Sequence, residues 1–333
     1  MDIPVWVEWS VLGALVVLLA FDVWVIGRRP HEPSTRESTM GVIGYVALAL
    51  IFGLGILWLA GGRYAGEFYA GWLTEYSLSV DNLFVFLVIM SRFKVPRVFQ
   101  QKVLLIGIVL ALVLRGIFIA AGAAAIERFI WVFFLFGAFL LYTAWNLAFH
   151  HEEEEEFKEN VLIRWSRRVL PISKDFGDGK LRTHENGKRI WTPMVVVLIA
   201  IGTTDLLFAF DSIPAIFGLT REPFLIFTAN VFALMGLRQL YFLLGGLLDR
   251  LVYLSIGLSF ILAFIGVKLI LEALHENSLP FINGGHEIEW VPEVPIWLSL
   301  VVIIGTLAVT TLASLWKSRR TAPQKELSST TAS

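Results

Sequence analysis

Two short stretches of the chain place acidic residues inside long apolar runs. Each stretch has two carboxylates six positions apart, and the second carboxylate is followed by a small polar residue. These six residues are Glu75, Asp81, Asn82, Asp205, Asp211 and Ser212. A carboxylate at membrane depth costs roughly 2.5–3.5 kcal/mol on insertion scales, so its presence indicates a function.

These residues predict a site built of oxygen ligands. The chain has no cysteine, and no histidine lies near either stretch. Such a set favours hard cations such as Mn²⁺, Mg²⁺ or Ca²⁺ over Zn²⁺ or Cu⁺. Burial favours the protonated form of a carboxylate, so the same groups can carry protons in exchange for a cation. We therefore expect a transported divalent ion and no permanently bound cofactor.

Three further charged residues lie in apolar segments. Arg115 and Arg238 either neutralise a carboxylate when no cation is bound or bind helix ends and carbonyl groups, and the sequence leaves both interpretations open. Asp22 lies near the end of the first apolar segment and is a weaker candidate for the ion pathway.

The elements that must position these residues are membrane helices. The chain is 56% hydrophobic and 17% charged, against about 25% charged in soluble domains, and its mean hydropathy is +0.72. Because a span needs about 20 apolar residues, we predict an all-α, polytopic bundle of about nine spans. The predicted spans are 4–26, 40–60, 69–90, 103–125, 129–149, 193–217, 224–245, 252–272 and 295–316.

Basic residues concentrate in alternate loops, which predicts an outside N-terminus and a cytoplasmic C-terminus. We expect a bacterial inner (plasma) membrane protein. The net charge of −1 gives no indication of a nucleic-acid partner. The expected partners are the bilayer, the divalent ion, and another membrane protein or a second copy of the chain.

Spans three to five resemble spans six to eight, because each set combines the acidic stretch with a later arginine, Arg115 or Arg238. Three spans per unit is an odd number, so the two units cross the membrane in opposite directions, as in many secondary transporters. The predicted division begins with spans one and two (1–68), followed by unit one (69–149) and a cytoplasmic loop (150–192). Unit two (193–272) comes next, then an external loop with the last span (273–316) and a disordered tail (317–333).

Three local features complete the prediction. The acidic run 152–156 is either a solvated linker or a cytoplasmic lure for metal ions, and the linker is favoured. Turn residues within 171–191 predict a small β-hairpin. Pro214 predicts a helix break beside Asp211, because proline removes a backbone hydrogen bond.

The stretches Ser79-Val-Asp81-Asn82-Leu-Phe-Val-Phe and Phe210-Asp211-Ser212-Ile-Pro214-Ala-Ile-Phe217 resemble the signatures of the TerC family of integral membrane proteins. The similarity covers roughly residues 5–317. It implies export of divalent manganese, with the six residues of the two stretches at the acidic intramembrane positions. The family name also refers to tellurite resistance.

Three function classes follow, and the first is favoured. The protein exports a divalent cation, with Mn²⁺ preferred, by proton antiport through its carboxylates. Alternatively, it is a membrane scaffold or assembly factor in a tellurite-resistance or metal-stress complex. An intramembrane aspartyl protease using Asp81 and Asp211 is disfavoured because no Gly-x-Gly-Asp motif is present, so we do not expect an enzyme.

Overall fold

The computed structural model describes residues 3–28, 33–149, 163, 168–173, 175–176, 179–185, 188–244, 253–277, 279, 282–286, 288 and 290–330. Within these ranges, nine helices are long and apolar enough to cross a membrane, as the sequence predicts. They are α1 Val5–Arg28, α2 Thr35–Ala60, α3 Gly62–Arg92, α4 Arg97–Arg128, α5 Val132–Phe149, α6 Pro193–Phe217, α7 Pro223–Leu244, α8 Leu254–His275 and α9 Ile296–Thr330.

The remaining regular structure is small. Strands β1 (Arg182–Glu185) and β2 (Lys188–Trp191) pair antiparallel, so the predicted hairpin is confirmed. The Arg182 guanidinium lies 3.8 Å from the centre of the Trp191 ring. A 3₁₀ turn covers Asn283–Gly285. The acidic run 152–156 lies outside the described residues.

Several helix boundaries differ from those predicted, and the two largest differences are at α3 and α9. Helix α3 begins at Gly62 and not at residue 69, because Glu67 is stabilised inside the helix by Arg63, one turn earlier. Helix α9 continues to Thr330, whereas the sequence predicts disorder for 317–333. The helix formers Ala, Gln, Lys, Glu and Leu after residue 320 are compatible with this extension.

The contacts between α3–α5 and α6–α8 have the symmetry that two related units would produce. Helix α3 packs on α7 and α4 packs on α6, and further contacts join α3 to α6, α4 to α7, and α5 to α8. If α3, α4 and α5 are exchanged with α6, α7 and α8, the α3–α7 contact becomes the α4–α6 contact. Each of the other three contacts then maps onto itself. This pattern is the one expected of two three-helix units, and their inversion relative to each other stays a prediction.

The core lies among α3, α4, α6 and α7. Helices α3 and α7 are the most buried of the spans, while α1 and α9 are the least buried. Helices α1, α2 and α9 pack around this core, with α1 on α4 and α7, α2 on α3 and α7, and α9 on α3 and α8. Side chains at the centre of the four core helices are therefore shielded from lipid.

The third helices of the two units approach each other closely. At the crossing of α5 and α8, a Cβ atom added at Gly137 would lie 2.8 Å from the Gly266 carbonyl oxygen. A Cβ atom added at Gly266 would lie 3.0 Å from the Gly137 oxygen. Only glycine fits at both positions, and backbone contacts of this kind are common between membrane helices.

Candidate functional site: a buried arginine between two carboxylates

Arg115 of α4 binds carboxylates from both predicted repeat units. Its Nη1 pairs with Glu75 of α3, and its Nη2 lies 3.3 Å from Oδ1 of Asp205 on α6. Nη1 also donates to Oδ1 of Asn230 on α7 at 2.8 Å. Each of the four core helices thus contributes one residue to this cluster, which we call the arginine centre.

The arginine centre lies near mid-membrane. Glu75 is 13 residues into α3 and Asp205 is 12 residues into α6, or about 18–20 Å from each helix start at 1.5 Å per residue. Because Glu75 and Arg115 are each 1% exposed and Asp205 is 3% exposed, neither water nor lipid reaches the carboxylates in this conformation.

Several buried polar atoms of the core helices, including one oxygen of each carboxylate of the centre, have no partner among the described residues. Within the described part of the chain, no hydrogen-bond partner is found for Glu75 Oε2, Ser79 Oγ, Arg115 Nε, Asp205 Oδ2 and Ser212 Oγ. A buried polar group left unsatisfied costs about 1–3 kcal/mol. The centre therefore has unused capacity to coordinate a small polar ligand.

Residues seven apart share the helix faces that carry the centre. Seven residues turn an α-helix through about 700°, which returns to within about 20° of the start. Asn82 therefore lies on the Glu75 face of α3, and buried Ser212 lies on the Asp205 face of α6. The structure thus brings Glu75 and Asp205 together and places Asn82 and Ser212 on the same faces.

Asp211 lies on another face. It follows Asp205 by six residues, which turns it about 120° away. Its Oδ1 accepts a hydrogen bond from Thr143 of α5 at 3.0 Å. The side chain of Asp81 lies outside the described residues. Among the residues that are described, no group of three or more His, Cys, Asp or Glu side chains could hold a metal ion as they stand.

Helix α6 passes through Pro214 without interruption and ends at Phe217. The predicted break beside Asp211 is therefore wrong. The turn that contains Pro214 is buried, with Ser212, Ile213, Ala215 and Ile216 packed inside the bundle. Packing of this kind compensates for the hydrogen bond that proline removes, as is common in membrane helices.

The second arginine, Arg238 of α7, contacts a carboxylate outside the repeat. Its Nη2 lies 3.9 Å from Oδ2 of Asp22 on α1. The Tyr45 hydroxyl of α2 donates to the same Asp22 oxygen at 2.5 Å. Both arginines therefore have carboxylate partners. Arg238 does not reach Asp205, which is paired with Arg115.

A cavity of about 700 Å³ opens at the end of the bundle where α3 begins and α6 ends. Its most buried carboxylate is Glu67, which accepts from Arg63 Nε at 2.9 Å and from the Thr220 hydroxyl at 2.7 Å. The charge bias of the loops predicts that this end faces outside. We call this space the outer cavity.

An ion-pair cluster lies beside the outer cavity. Arg221, in the turn after α6, donates to Glu272 at 2.6 Å and to Glu276 at 2.9 Å. Burial lowers the pKa of Arg221, but the two carboxylates outweigh this effect and raise the pKa above its usual value. The cluster ties the α6–α7 connection to the end of α8.

Sequence reasoning missed several residues that these contacts involve. They are Asn230 at the arginine centre, Thr143 beside Asp211, and Tyr45 beside Asp22. Asn230 had a detectable signal, because it is an amide in the middle of an apolar run. Thr143 and Tyr45 carried none, since both residue types are common in membrane helices.

The chain matches known proteins over most of its length. The model for the "Integral membrane protein TerC family" matches residues 60–322. An uncharacterized membrane protein of Mycobacterium tuberculosis is 51% identical over 319 residues, covering 95% of this chain and 80% of that protein. An uncharacterized membrane protein of Myxococcus xanthus is 39% identical over 308 residues, covering 92% and 91%.

A further relative is an Escherichia coli protein named "Putative membrane-bound redox modulator Alx". It is 35% identical over 322 residues, covering 94% of this chain and 95% of that protein. No solved structure matches the chain. The family match and the extent of these similarities agree with the nine helices that are long and apolar enough to span a membrane within the described residues. The chain belongs to the TerC family of integral membrane proteins.

Proposed function

We propose that the protein exports a divalent metal cation, with Mn²⁺ as the preferred ion, by exchange with protons at the arginine centre. One observation carries the proposal: two carboxylates from related halves of the molecule share a single buried guanidinium. Two ionised carboxylates and one arginine leave one negative charge without compensation. A cation is the ligand that this negative charge attracts.

The chemistry of the centre favours a hard cation. Glu75, Asp205 and Asn230 offer carboxylate and amide oxygen atoms, and Ser79, one turn after Glu75 on α3, adds a hydroxyl oxygen. Mn²⁺ and Mg²⁺ are typically bound by carboxylate, carbonyl and water oxygens. The preference for Mn²⁺ and the export direction rest on the resemblance of the two acidic motifs to those of manganese exporters.

Arg115 acts as the counter-ion when no cation is bound. A buried carboxylate without a partner is strongly disfavoured in its charged form, so it is neutralised by a cation or by a proton. On arrival, the metal ion competes with Arg115 for the carboxylates. On its departure, protons replace it on the carboxylates. This exchange of the metal ion for protons is the coupling that antiport requires.

The cavities at the two ends support alternating access. The outer cavity opens at one end of the bundle, and a second cavity beside Asp22 and Arg238 opens at the other. The arginine centre lies between them and is closed to both. We therefore regard this conformation as occluded.

The relative named as a redox modulator suggests a second effect, but these 333 residues contain no cysteine. Thiol–disulfide exchange by this chain is therefore excluded. Under the proposed function, any influence on cellular redox state would be exerted through the transported metal, and the protein itself is a transporter and not an enzyme.

The test is manganese export from a strain that lacks its own exporter. The native chain is expected to lower cellular manganese and restore growth in added Mn²⁺, while Glu75→Gln and Asp205→Asn each reduce export at least tenfold at matched membrane levels. Glu127→Gln is the control, since Glu127 is exposed at the end of α4. Full export by both variants would contradict the proposal and favour the scaffold function.

A further inference from the structure

We propose that the cavity lined by α1, α2, α4 and α7 is a second binding site for a hard divalent cation, separate from the arginine centre. We call this space the inner cavity. Its volume is about 380 Å³, and it lies at the end of the bundle opposite the outer cavity. The inference deepens the proposed function, because it supplies a site where the ion binds before it reaches the centre.

Asp22 is the principal ligand in the inner cavity. Its side chain is 21% exposed, and Oδ2 is held by the Tyr45 hydroxyl at 2.5 Å. Tyr45 fixes the orientation of the carboxylate without neutralising it. Asp22 is thus a positioned carboxylate ligand in contact with the cavity.

Two buried oxygen atoms that line the same cavity have no partner. Ser38 is 1% exposed and Gln101 is 4% exposed. Within the described residues, neither Ser38 Oγ nor Gln101 Oε1 has a hydrogen-bond partner. Buried polar atoms normally have a partner, so these two oxygens indicate a polar ligand. They come from α2 and α4, while Asp22 comes from α1.

The arrangement of charged side chains allows Asp22 to accept a cation. Among the residues that the structure describes, the charged side chains that line the cavity are Asp22, Glu37 and Arg238. Arg238 is only loosely paired with Asp22, at 3.9 Å. In the amide orientation that satisfies both side-chain atoms of Gln239, its oxygen accepts from Arg238 Nη2 at 2.7 Å. Arg238 can therefore release Asp22 while it keeps a partner.

The size of the cavity suits an ion that is still hydrated. A water molecule occupies about 30 Å³ of liquid, so an ion with six waters fits within about 380 Å³. The ligands Asp22, Ser38 and Gln101 lie on three different helices, and water would fill the remaining coordination positions. Mg²⁺ and similar ions keep several waters in protein sites.

The two arginines then have parallel roles. Arg115 holds Glu75 and Asp205 at the centre, and Arg238 lies beside Asp22 in the inner cavity. Each is a counter-ion that an arriving cation displaces. The weaker pairing of Arg238 makes the inner cavity the easier site to load.

The test measures Mn²⁺ binding to the purified full-length protein by equilibrium dialysis. Asp22→Asn is expected to weaken one class of sites at least tenfold. Gly44→Leu is expected to do the same, because it fills the inner cavity at a position where an added Cβ meets nothing within 4 Å. The matched control is Gly55→Leu on the same helix, which has equal space and does not line the cavity.

Arg238→Gln tests whether Mn²⁺ binding becomes tighter when the competing positive charge is removed. It removes the competing charge and is expected to tighten Mn²⁺ binding several-fold at this class of sites. Unchanged binding in both Asp22→Asn and Gly44→Leu, or weaker binding in Arg238→Gln, would overturn the inference. The latter result would indicate an anionic ligand such as a lipid phosphate.

Glu75→Gln separates this inference from the proposed function. One outcome is that Glu75→Gln loses export and still binds Mn²⁺ at the class of sites that Asp22→Asn weakens. That result would support both the proposed function and the site in the inner cavity. Retention of export in Glu75→Gln would contradict the role of the centre and leave the binding result for the inner cavity valid.

Discussion

Arg115 is the residue on which the candidate site depends most, because it contacts both Glu75 and Asp205. Removal of one partner from a buried ion pair typically costs about 3–5 kcal/mol, since the remaining charge is left without compensation. Here two carboxylates would be left close together. The consequences should therefore be visible both in stability and in transport.

We expect Arg115→Gln to lower the thermal stability of the purified protein strongly and to abolish export. Added Mn²⁺ should raise the unfolding temperature of Arg115→Gln more than that of the native chain, because the ion replaces the lost counter-charge. Thermal unfolding with and without Mn²⁺ checks this. Arg128→Gln, at the exposed end of the same helix, is the control. If Mn²⁺ raised the unfolding temperature equally in Arg115→Gln and in the native chain, the role of Arg115 as counter-ion would be contradicted.

Arg221 should behave differently, although it also contacts two carboxylates. Arg221, Glu272 and Glu276 are 39%, 29% and 36% exposed, and ion pairs near the surface contribute about 0–1 kcal/mol. Arg221→Gln should therefore change thermal stability little. A loss as large as that of Arg115→Gln would show that this cluster is a main structural tie at the outer end.

At the scale of elements, the crossing of α5 and α8 joins the two repeat units through their backbones. Gly137 and Gly266 leave no space for a side chain at this crossing. Overpacking of a tight contact typically costs about 1–3 kcal/mol. Any motion of one unit against the other must preserve this contact or pivot about it.

Gly137→Ala and Gly266→Ala are each expected to lower the unfolding temperature clearly, because a methyl group would meet the opposite carbonyl oxygen. Gly305→Ala on α9 is the control, since an added Cβ there has nothing within 4 Å. Thermal unfolding in detergent measures the effect. Equal stability of all three variants would mean that α5 and α8 adjust their separation freely.

The nine spans could be predicted from the sequence, because long apolar runs leave few alternatives in a membrane. The carboxylates could also be identified, since they interrupt those runs. Which of them meet could not be predicted. The six-residue spacing draws attention to Glu75 with Asp81 and to Asp205 with Asp211, but it separates each pair by about 120° on a helix.

The contacts that complete the centre also required the structure. Asn230 and Arg115 are far apart in the sequence, and only the packing of α7 on α4 brings them together. The pairing of Arg238 with Asp22 depends on the position of α1, which no repeat pattern specifies. Helix α6 continues through Pro214 because its neighbours bury that turn.

At the scale of the whole molecule, the orientation in the membrane can be tested directly, because the chain has no native cysteine. Glu293→Cys, in the connection before α9, should react with a membrane-impermeant maleimide in intact cells. His184→Cys, in the hairpin, should react only after the membrane is opened. Both positions are exposed. The reverse pattern would mean that the N-terminus is cytoplasmic.

The single guanidinium between two carboxylates also bears on membrane voltage. With Arg115 retained, a centre that holds Mn²⁺ and a centre that holds two protons carry the same charge of +1. Exchange of one Mn²⁺ for two protons would therefore move no net charge. One proton per ion would instead move one charge, at about 2.3 kcal/mol per 100 mV. We expect transport in vesicles to follow the proton gradient and to be insensitive to an imposed potassium diffusion potential, so that export would continue in cells whose membrane potential has collapsed.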